Sequence, residues 1–190
     1  MNTLIKEYNW TDSYEAMRDH YVSFVNNEHC IASSKKHKDS HTIIHRFHGD
    51  VIPIWIRDIF KQEIFIIQIF AAEPNSVGYI HKDGVDRQSA FNIPLENCEA
   101  GTMDWFSEDQ LTTLQIVNDY TSIRITNEQV EQGKSFDPRP LYSATVNVPC
   151  LVNTNVWHRV DNRNNDKFRW MISLRFKDNL AFEEMKKHLI

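Results

Sequence analysis

Three residues far apart in the chain carry side chains suited to holding a metal ion: His81, Asp83 and His158. Two imidazoles and one carboxylate can hold divalent iron on one face and leave the opposite positions open. Open positions can accept an organic co-substrate and oxygen. Arg169 follows shortly after His158, and its planar guanidinium suits a carboxylate of such a co-substrate.

The spacing His-x-Asp occurs at His37/Asp39, His48/Asp50 and His81/Asp83. The first two pairs lie in polar, His-rich segments that are typical of loops and connectors. The third pair ends a short apolar run and is followed by Gly84, which predicts a strand leading into a turn. Alternate residues of a strand face the same side, so Tyr79, His81 and Asp83 are expected to line one surface.

Composition narrows the classes of protein that fit. The 190 residues suit one domain, and a hydrophobic content of 41% is enough for a packed core. The net charge of −5 argues against broad nucleic-acid affinity, which depends on neutralising phosphates. The first ten residues contain no apolar signal segment, and no apolar run reaches membrane-spanning length. Three cysteines without Cys-x-x-Cys spacing favour a reducing, cytoplasmic location.

Local patterns predict an N-terminal helix followed mainly by strands. Helical spacing and a capping pair favour a helix over 12–26, and 29–50 is interpreted as a polar connector. Runs rich in Ile, Phe and Val predict strands at 63–72, 77–83, 88–95, 102–106, 141–148, 150–160 and 168–176. A capping box at Ser107 predicts a short helix through Leu111, Leu114, Val117 and Tyr120, and a C-terminal helix is expected from about Leu180. Many short strands with helical support favour a two-sheet β-roll.

With these residues placed, the chain resembles the Fe(II)/2-oxoglutarate-dependent dioxygenase superfamily. The resemblance rests on HKD (81–83), NTNVWHRVDN (153–162) and FRWMISLRF (168–176), and it covers roughly 63–176. It implies a mainly β fold, the double-stranded β-helix or jelly roll that is also cupin-like. We expect a single domain over 1–190, with helical support in 1–62 and an insertion at 107–140.

The resemblance also implies the site and its chemistry. His81, Asp83 and His158 would bind Fe(II), and Arg169 would pair with the far carboxylate of 2-oxoglutarate. By the same resemblance, oxygen would be the other co-substrate, and succinate and carbon dioxide would be released as a C–H bond is hydroxylated. We expect the primary substrate to be an amino-acid side chain, free or in a protein, although the fold does not select it.

Several assignments remain open at this stage. Arg175 shares a strand face with Arg169 and is an alternative partner for the 2-oxoglutarate carboxylate. Asn92 and Tyr79 are candidate contacts for the co-substrate, although an aromatic residue on a strand often belongs to the core. A second histidine group, His37, His41, His45 and His48, has helical spacing but is interpreted as a solvated connector or substrate-facing flap.

Two other classes of protein compete with this interpretation. The spacing Arg169-x5-Arg175 is similar to that of nucleic-acid demethylases of the AlkB type, but Met171 departs from their pattern and the acidic charge argues against them. A non-enzymatic β-roll that binds a metal or ligand is the second alternative. Metal content separates the binding protein from both kinds of enzyme.

Overall fold

The structure is a computed structural model, and it describes residues 4–8, 15–16, 18–19, 35–37, 42–48, 60, 62–85, 87–111, 117–119, 122–125 and 138–189. For 35–37, 42–48, 110, 117–119 and 122–125 only the backbone is described. The strands are β1 (Ile5–Glu7), β2 (Lys35–His37), β3 (Thr42–His48), β4 (Ile64–Ala72), β5 (Ile80–Lys82), β6 (Ser89–Glu96), β7 (Thr102–Trp105), β8 (Val117–Asp119), β9 (Ser122–Ile125), β10 (Tyr142–Thr145), β11 (Cys150–Asn153), β12 (His158–Asp161) and β13 (Arg169–Phe176). A 3-10 helix (Glu108–Leu111) and helix α1 (Phe182–His188) complete the described elements.

The strands form two antiparallel sheets. The large sheet has the order β1-β11-β6-β13-β4-β3-β2, and the small sheet has the order β10-β7-β12-β5-β9-β8. The central strands of both sheets pair with strands distant in sequence, since β13 pairs with β4 and β6 while β12 pairs with β5 and β7. This is the mainly β, jelly-roll architecture predicted from the sequence.

Two apolar layers hold the roll together. The long strands β4 and β13 are rich in Ile, Leu and Phe, and their outer faces pack under α1 around Ile69, Ile172 and Met185. A second cluster lies between the sheets; its buried members are Ala90, Cys98, Met103, Trp105, Val146, Cys150, Val152 and Met171. Because strand residues alternate between faces, Met171 in this inner cluster places Arg169 and Ser173 on the inner face as well.

Most predicted strands are present within a few residues of the expected bounds. The predicted strand 150–160 is two strands, β11 and β12, separated by 154–157. Residues 15–16 and 18–19 are helical, and the remainder of the predicted helix 12–26 lies outside the described residues. The single-domain assignment stays a prediction.

Two local predictions were wrong. The segment 29–50 is not only a connector, because β2 and β3 within it extend the large sheet, and β3 pairs with β4 over seven residues. The helix predicted to continue through Val117 is not formed there, since Val117 begins β8, which pairs with β9. In both places, pairing with a strand elsewhere in the chain overrides the local pattern.

Among the described residues, no helix combines the length and apolar character needed to cross a membrane.

Candidate metal centre

The three predicted ligands come together on the small sheet. His81 on β5 lies directly opposite His158 on β12, and their ring centroids are 4.3 Å apart. Asp83 follows the last residue of β5, and its backbone N–H donates to the Thr154 carbonyl at 3.0 Å. One potential ligand atom from each of the three residues lies within 4.8 Å of the others. The strand was expected to include Asp83 and ends just before it.

Backbone hydrogen bonds orient both imidazoles. The Nδ1 atom of His81 lies 3.0 Å from the Tyr79 carbonyl, and the Nδ1 atom of His158 lies 2.8 Å from the Val156 carbonyl. A carbonyl oxygen only accepts, so Nδ1 carries the proton in both rings and the Nε2 lone pair is available to a metal. Such a bond to the second ring nitrogen is the usual support of a metal-binding histidine.

The electrostatics favour neutral imidazole and ionised carboxylate, as ligation requires. Burial lowers the pKa of His158 to about 3, with a smaller contribution from His81. Burial alone would raise the pKa of the Asp83 carboxyl, but the Arg87 guanidinium and nearby histidines more than offset this, so the pKa lies below its usual value. Both groups therefore have the protonation state of a ligand at neutral pH.

An arginine that sequence analysis missed contacts the Asp83 carboxylate. Arg87 Nε lies 3.1 Å from Asp83 Oδ2, and the side chains of Arg87 and Asp83 are only 16% and 13% exposed. The contact is an ion pair and not a hydrogen bond, since the buried Nε atom makes no hydrogen bond to a described residue. Arg87 Nη2 also donates to Ser173 Oγ on β13 at 2.8 Å. The pair thus connects the metal ligand to the inner face of the large sheet.

Arg169 is a buried cation without a carboxylate partner among the residues that the structure describes. The residue is 4% exposed, and its Nε atom makes no hydrogen bond to any residue that the structure describes. Burial lowers the pKa of Arg169, and the groups that act on it electrostatically are the thiols of Cys98 and Cys150. An uncompensated buried charge costs several kcal/mol, so an anionic ligand is the natural counterpart of this side chain.

A glycine makes room for the Arg169 side chain. A Cβ atom added at Gly101 would lie 2.7 Å from Arg169 Cδ and 2.9 Å from Asn162 Oδ1. Asn162 is itself fixed at the end of β12, because its Nδ2 donates to the Glu73 carbonyl at 2.8 Å and to the Lys167 carbonyl at 3.2 Å. The turn between β12 and β13 and the loop before β7 therefore shape the space around the guanidinium.

Two further predicted residues, Asn92 and Tyr79, offer buried polar atoms. Asn92 Oδ1 and Tyr79 Oη are both buried without a hydrogen-bond partner in the described part of the chain. Asn92 on β6 pairs with Ser173 on the neighbouring strand β13. Ser173 is also the residue that accepts the Arg87 hydrogen bond. Gln68 pairs with Ser173 from β4 on the other side, and its Oε1 is also buried without a partner.

Arg175, the alternative to Arg169, lies nearer the metal ligands. It is among the groups that lower the pKa of Asp83, and it is half-buried. Arg175 also takes part in a further interaction, whereas Arg169 is buried without a carboxylate partner among the described residues. The structure thus separates the environments of the two arginines, of which the sequence favoured Arg169 and kept Arg175 as the alternative.

The second histidine group does not form a helical face. His37 lies on β2 and His45 and His48 lie on β3, while His41 is outside the described residues. The helical spacing of the three described histidines therefore does not place them on a common helix face. Within the part of the chain that the structure describes, His81, Asp83 and His158 form the cluster with the geometry to hold a metal.

No protein-family model and no curated protein matches the sequence. Three solved structures of HygX from Streptomyces hygroscopicus resemble the fold at TM-scores of 0.49, 0.48 and 0.47, with 11%, 9% and 11% sequence identity. The first structure holds nickel and 2-oxoglutarate, the second holds iron, and the third is the apo form. Each match covers 90% of this chain and 80%, 80% and 79% of HygX. At such scores and identities the likeness carries no argument about function.

Proposed function

We propose that the protein is an Fe(II)- and 2-oxoglutarate-dependent oxygenase that hydroxylates an amino-acid side chain, free or in a protein. The observation that carries the proposal is the pairing of a His81–Asp83–His158 cluster with a buried Arg169 that no described carboxylate neutralises. The cluster fits a metal, and the arginine fits the free carboxylate of a dicarboxylic acid. A protein that bound only the metal would have no need of the second feature.

The donor set is the first support. Two nitrogen donors and one carboxylate oxygen are the ligands of non-haem Fe(II) oxygenases, and three ligands leave open positions on the ion. Both rings are already held with Nε2 available. Neutral imidazoles and a single carboxylate leave a divalent ion with a net positive charge, which favours an anionic chelator.

The charge and polarity of the inner face are the second support. Arg169 would bind the far carboxylate of 2-oxoglutarate in the charge-assisted manner that suits a guanidinium. Asn92 and Tyr79 supply buried polar atoms that have no hydrogen-bond partner among the described residues, and a bound co-substrate would satisfy them. We assign Arg175 to the neighbourhood of Asp83, where it adds positive charge beside the metal ligands.

The chain's own residues would orient the metal and the co-substrate, exclude water from the site and balance the charge of the bound groups. When bound, iron with 2-oxoglutarate and oxygen supplies the oxidation, in which one oxygen atom enters succinate as carbon dioxide leaves and the other enters a C–H bond. His81, Asp83 and His158 would hold the metal, while Arg169 fixes the co-substrate in one direction. The buried Trp105 on β7, opposite His158, closes the inner side of the sheet against water.

The proposal is tested by following 2-oxoglutarate turnover. Purified protein with Fe(II) and oxygen should convert 2-oxoglutarate to succinate. A pool of free amino acids or peptides that contains a substrate should accelerate this conversion. The substrate itself should gain the mass of one oxygen atom. His158→Ala should abolish both. Metal binding without succinate formation under any substrate would favour the non-enzymatic binding protein, whereas turnover driven by methylated single-stranded DNA would favour the AlkB-like alternative.

A further inference from the structure

The two oxygen atoms of Asp83 face different partners. Oδ1 lies 3.6 Å from His81 Nε2, whereas Oδ2 lies 3.1 Å from Arg87 Nε. Arg87 therefore faces the other carboxylate oxygen, not the one that lies beside the His81 ring nitrogen. No feature of the sequence motif requires a cation at this position.

Arg87 is held in place from several directions. Its backbone N–H donates to the Gly84 carbonyl at 3.3 Å, and Gly84 has a φ of 72°, a left-handed conformation that favours glycine. This turn brings the side chain back beside Asp83. The Arg87 carbonyl accepts from Thr154 Oγ1 at 2.8 Å, and Nη2 donates to Ser173 Oγ at 2.8 Å. Backbone and guanidinium are thus anchored to the loop before β12 and to β13.

We propose that Arg87 is a positioning residue that keeps Oδ2 of Asp83 away from the metal, so that Asp83 offers one oxygen and leaves a coordination position for the co-substrate. A carboxylate can bind a metal through one or both oxygens, and a guanidinium opposite the second oxygen favours the first mode. The positive charge also reduces the negative charge that Asp83 gives to the ion, which favours an anionic chelator. The inference rests on the proposed function, because it presumes a metal held by this trio.

A purely structural ion pair is the competing explanation, and a matched pair elsewhere in the chain separates the two. Arg159 Nε also lies 3.1 Å from an aspartate oxygen, Asp104 Oδ2, and these side chains are 7% and 4% exposed. Arg159 is adjacent to His158 on β12, so it faces the opposite side of the strand. Loss of either pair removes a buried charge contact and lowers stability. Only loss of the Arg87 pair should change the coordination of a metal bound by Asp83.

The test uses the whole chain loaded with Co(II), an oxygen-stable substitute whose visible spectrum reports its coordination. Arg87→Met should change this spectrum and weaken 2-oxoglutarate binding to the Co(II) protein by about tenfold or more, equivalent to about 1.4 kcal/mol. Arg87→Lys, which retains the charge, should have a Co(II) spectrum and a 2-oxoglutarate affinity between those of Arg87→Met and the wild type. Arg159→Met should lower the unfolding temperature and leave the spectrum and the 2-oxoglutarate affinity as in the wild type.

A folded Arg87→Met protein with the wild-type Co(II) spectrum and 2-oxoglutarate affinity would overturn the inference and leave the proposed function intact. Equal spectral changes in Arg87→Met and Arg159→Met would also overturn it, because general loosening would then explain both. If Arg87→Met does not fold, Arg87→Gln, which keeps hydrogen-bonding groups without the charge, is judged by the same criteria. Failure of the wild type to bind Co(II) would overturn the proposed function and this inference together.

Discussion

At the scale of single residues, the proposed chemistry depends on a few side chains whose environments differ from those of ordinary surface groups. His158 is buried and uncharged at neutral pH, and Arg169 is buried and charged without a described counterion. The sequence predicted both residues because they occur in strand contexts at recognisable spacing. Arg87 and Ser173 could not be predicted, because their contact joins a turn to a distant strand and no local pattern records it.

Arg169 should be the residue that determines affinity for 2-oxoglutarate. Loss of a charge-assisted pair from a buried site costs about 2–5 kcal/mol, so Arg169→Met should weaken binding by roughly 30-fold to several thousand-fold. The same change should stabilise the ligand-free protein, because an uncompensated buried charge is removed. Calorimetric titration of the Co(II) protein and urea unfolding of the apoprotein measure the two effects.

Arg175→Met is the matched comparison for Arg169→Met, since Arg175 is the second arginine on the same face of β13. We expect it to affect 2-oxoglutarate binding less than Arg169→Met does. A large loss of affinity in Arg175→Met, with little in Arg169→Met, would reverse the assignment of the two arginines.

The buried His158 should make the apoprotein sensitive to mild acid. Its folded-state pKa of about 3 lies below the ordinary value of 6.5, so between these values the unfolded chain binds more protons and stability falls as the pH falls. From pH 7 to 5 this single group should contribute a loss of about 2 kcal/mol. Asp83, whose pKa is also lowered, adds a loss of the same sign at lower pH.

Urea unfolding of metal-free protein at pH 7 and pH 5, compared between the wild type and His158→Gln, isolates this contribution. Glutamine is neutral throughout, so the variant should lose less stability on acidification. Identical losses in the two proteins would mean that His158 is not buried in its neutral form.

At the scale of elements, the site is assembled by strand pairing rather than by local sequence. β5 and β12 place His81 opposite His158, and β13 carries Arg169 on the other sheet. The Ile- and Phe-rich strands were predictable because their composition agrees with their burial. β3 and β8 were missed because a polar, His-rich sequence and a helix-like spacing become strands only when a partner strand is present.

The loop before β7 should control the position of Arg169. Gly101→Ala would place a Cβ atom 2.7 Å from Arg169 Cδ, too close for a normal contact, so the arginine must move. We expect 2-oxoglutarate affinity to fall while Co(II) binding stays near the wild-type value, because the metal ligands lie on other strands. Gly78→Ala, whose Cβ would meet the Val160 carbonyl at 3.3 Å, is the comparison for a generic added methyl group and should spare the 2-oxoglutarate affinity. Loss of Co(II) binding in Gly101→Ala, or equal loss of 2-oxoglutarate affinity in both variants, would contradict this account.

At the scale of the whole molecule, the two sheets contribute different parts of the proposed site. The small sheet carries the imidazoles, and the large sheet carries Arg169 and the Ser173 that holds Arg87. The jelly roll itself was predictable from the number of short strands and the family resemblance. The identity of the primary substrate was not, since a fold does not select a substrate and much of 107–140 lies outside the described residues.

The most direct test of the central proposal is an anaerobic titration of the apoprotein with Fe(II) and then with 2-oxoglutarate, followed by visible absorption. We expect a weak band at ~500 nm that appears only after 2-oxoglutarate is added, because it requires the 2-oxo acid to chelate an iron with open positions. The band should be absent from His158→Ala. Iron binding without the band would contradict the proposed co-substrate, and failure of the wild type to bind iron would contradict the metal centre itself.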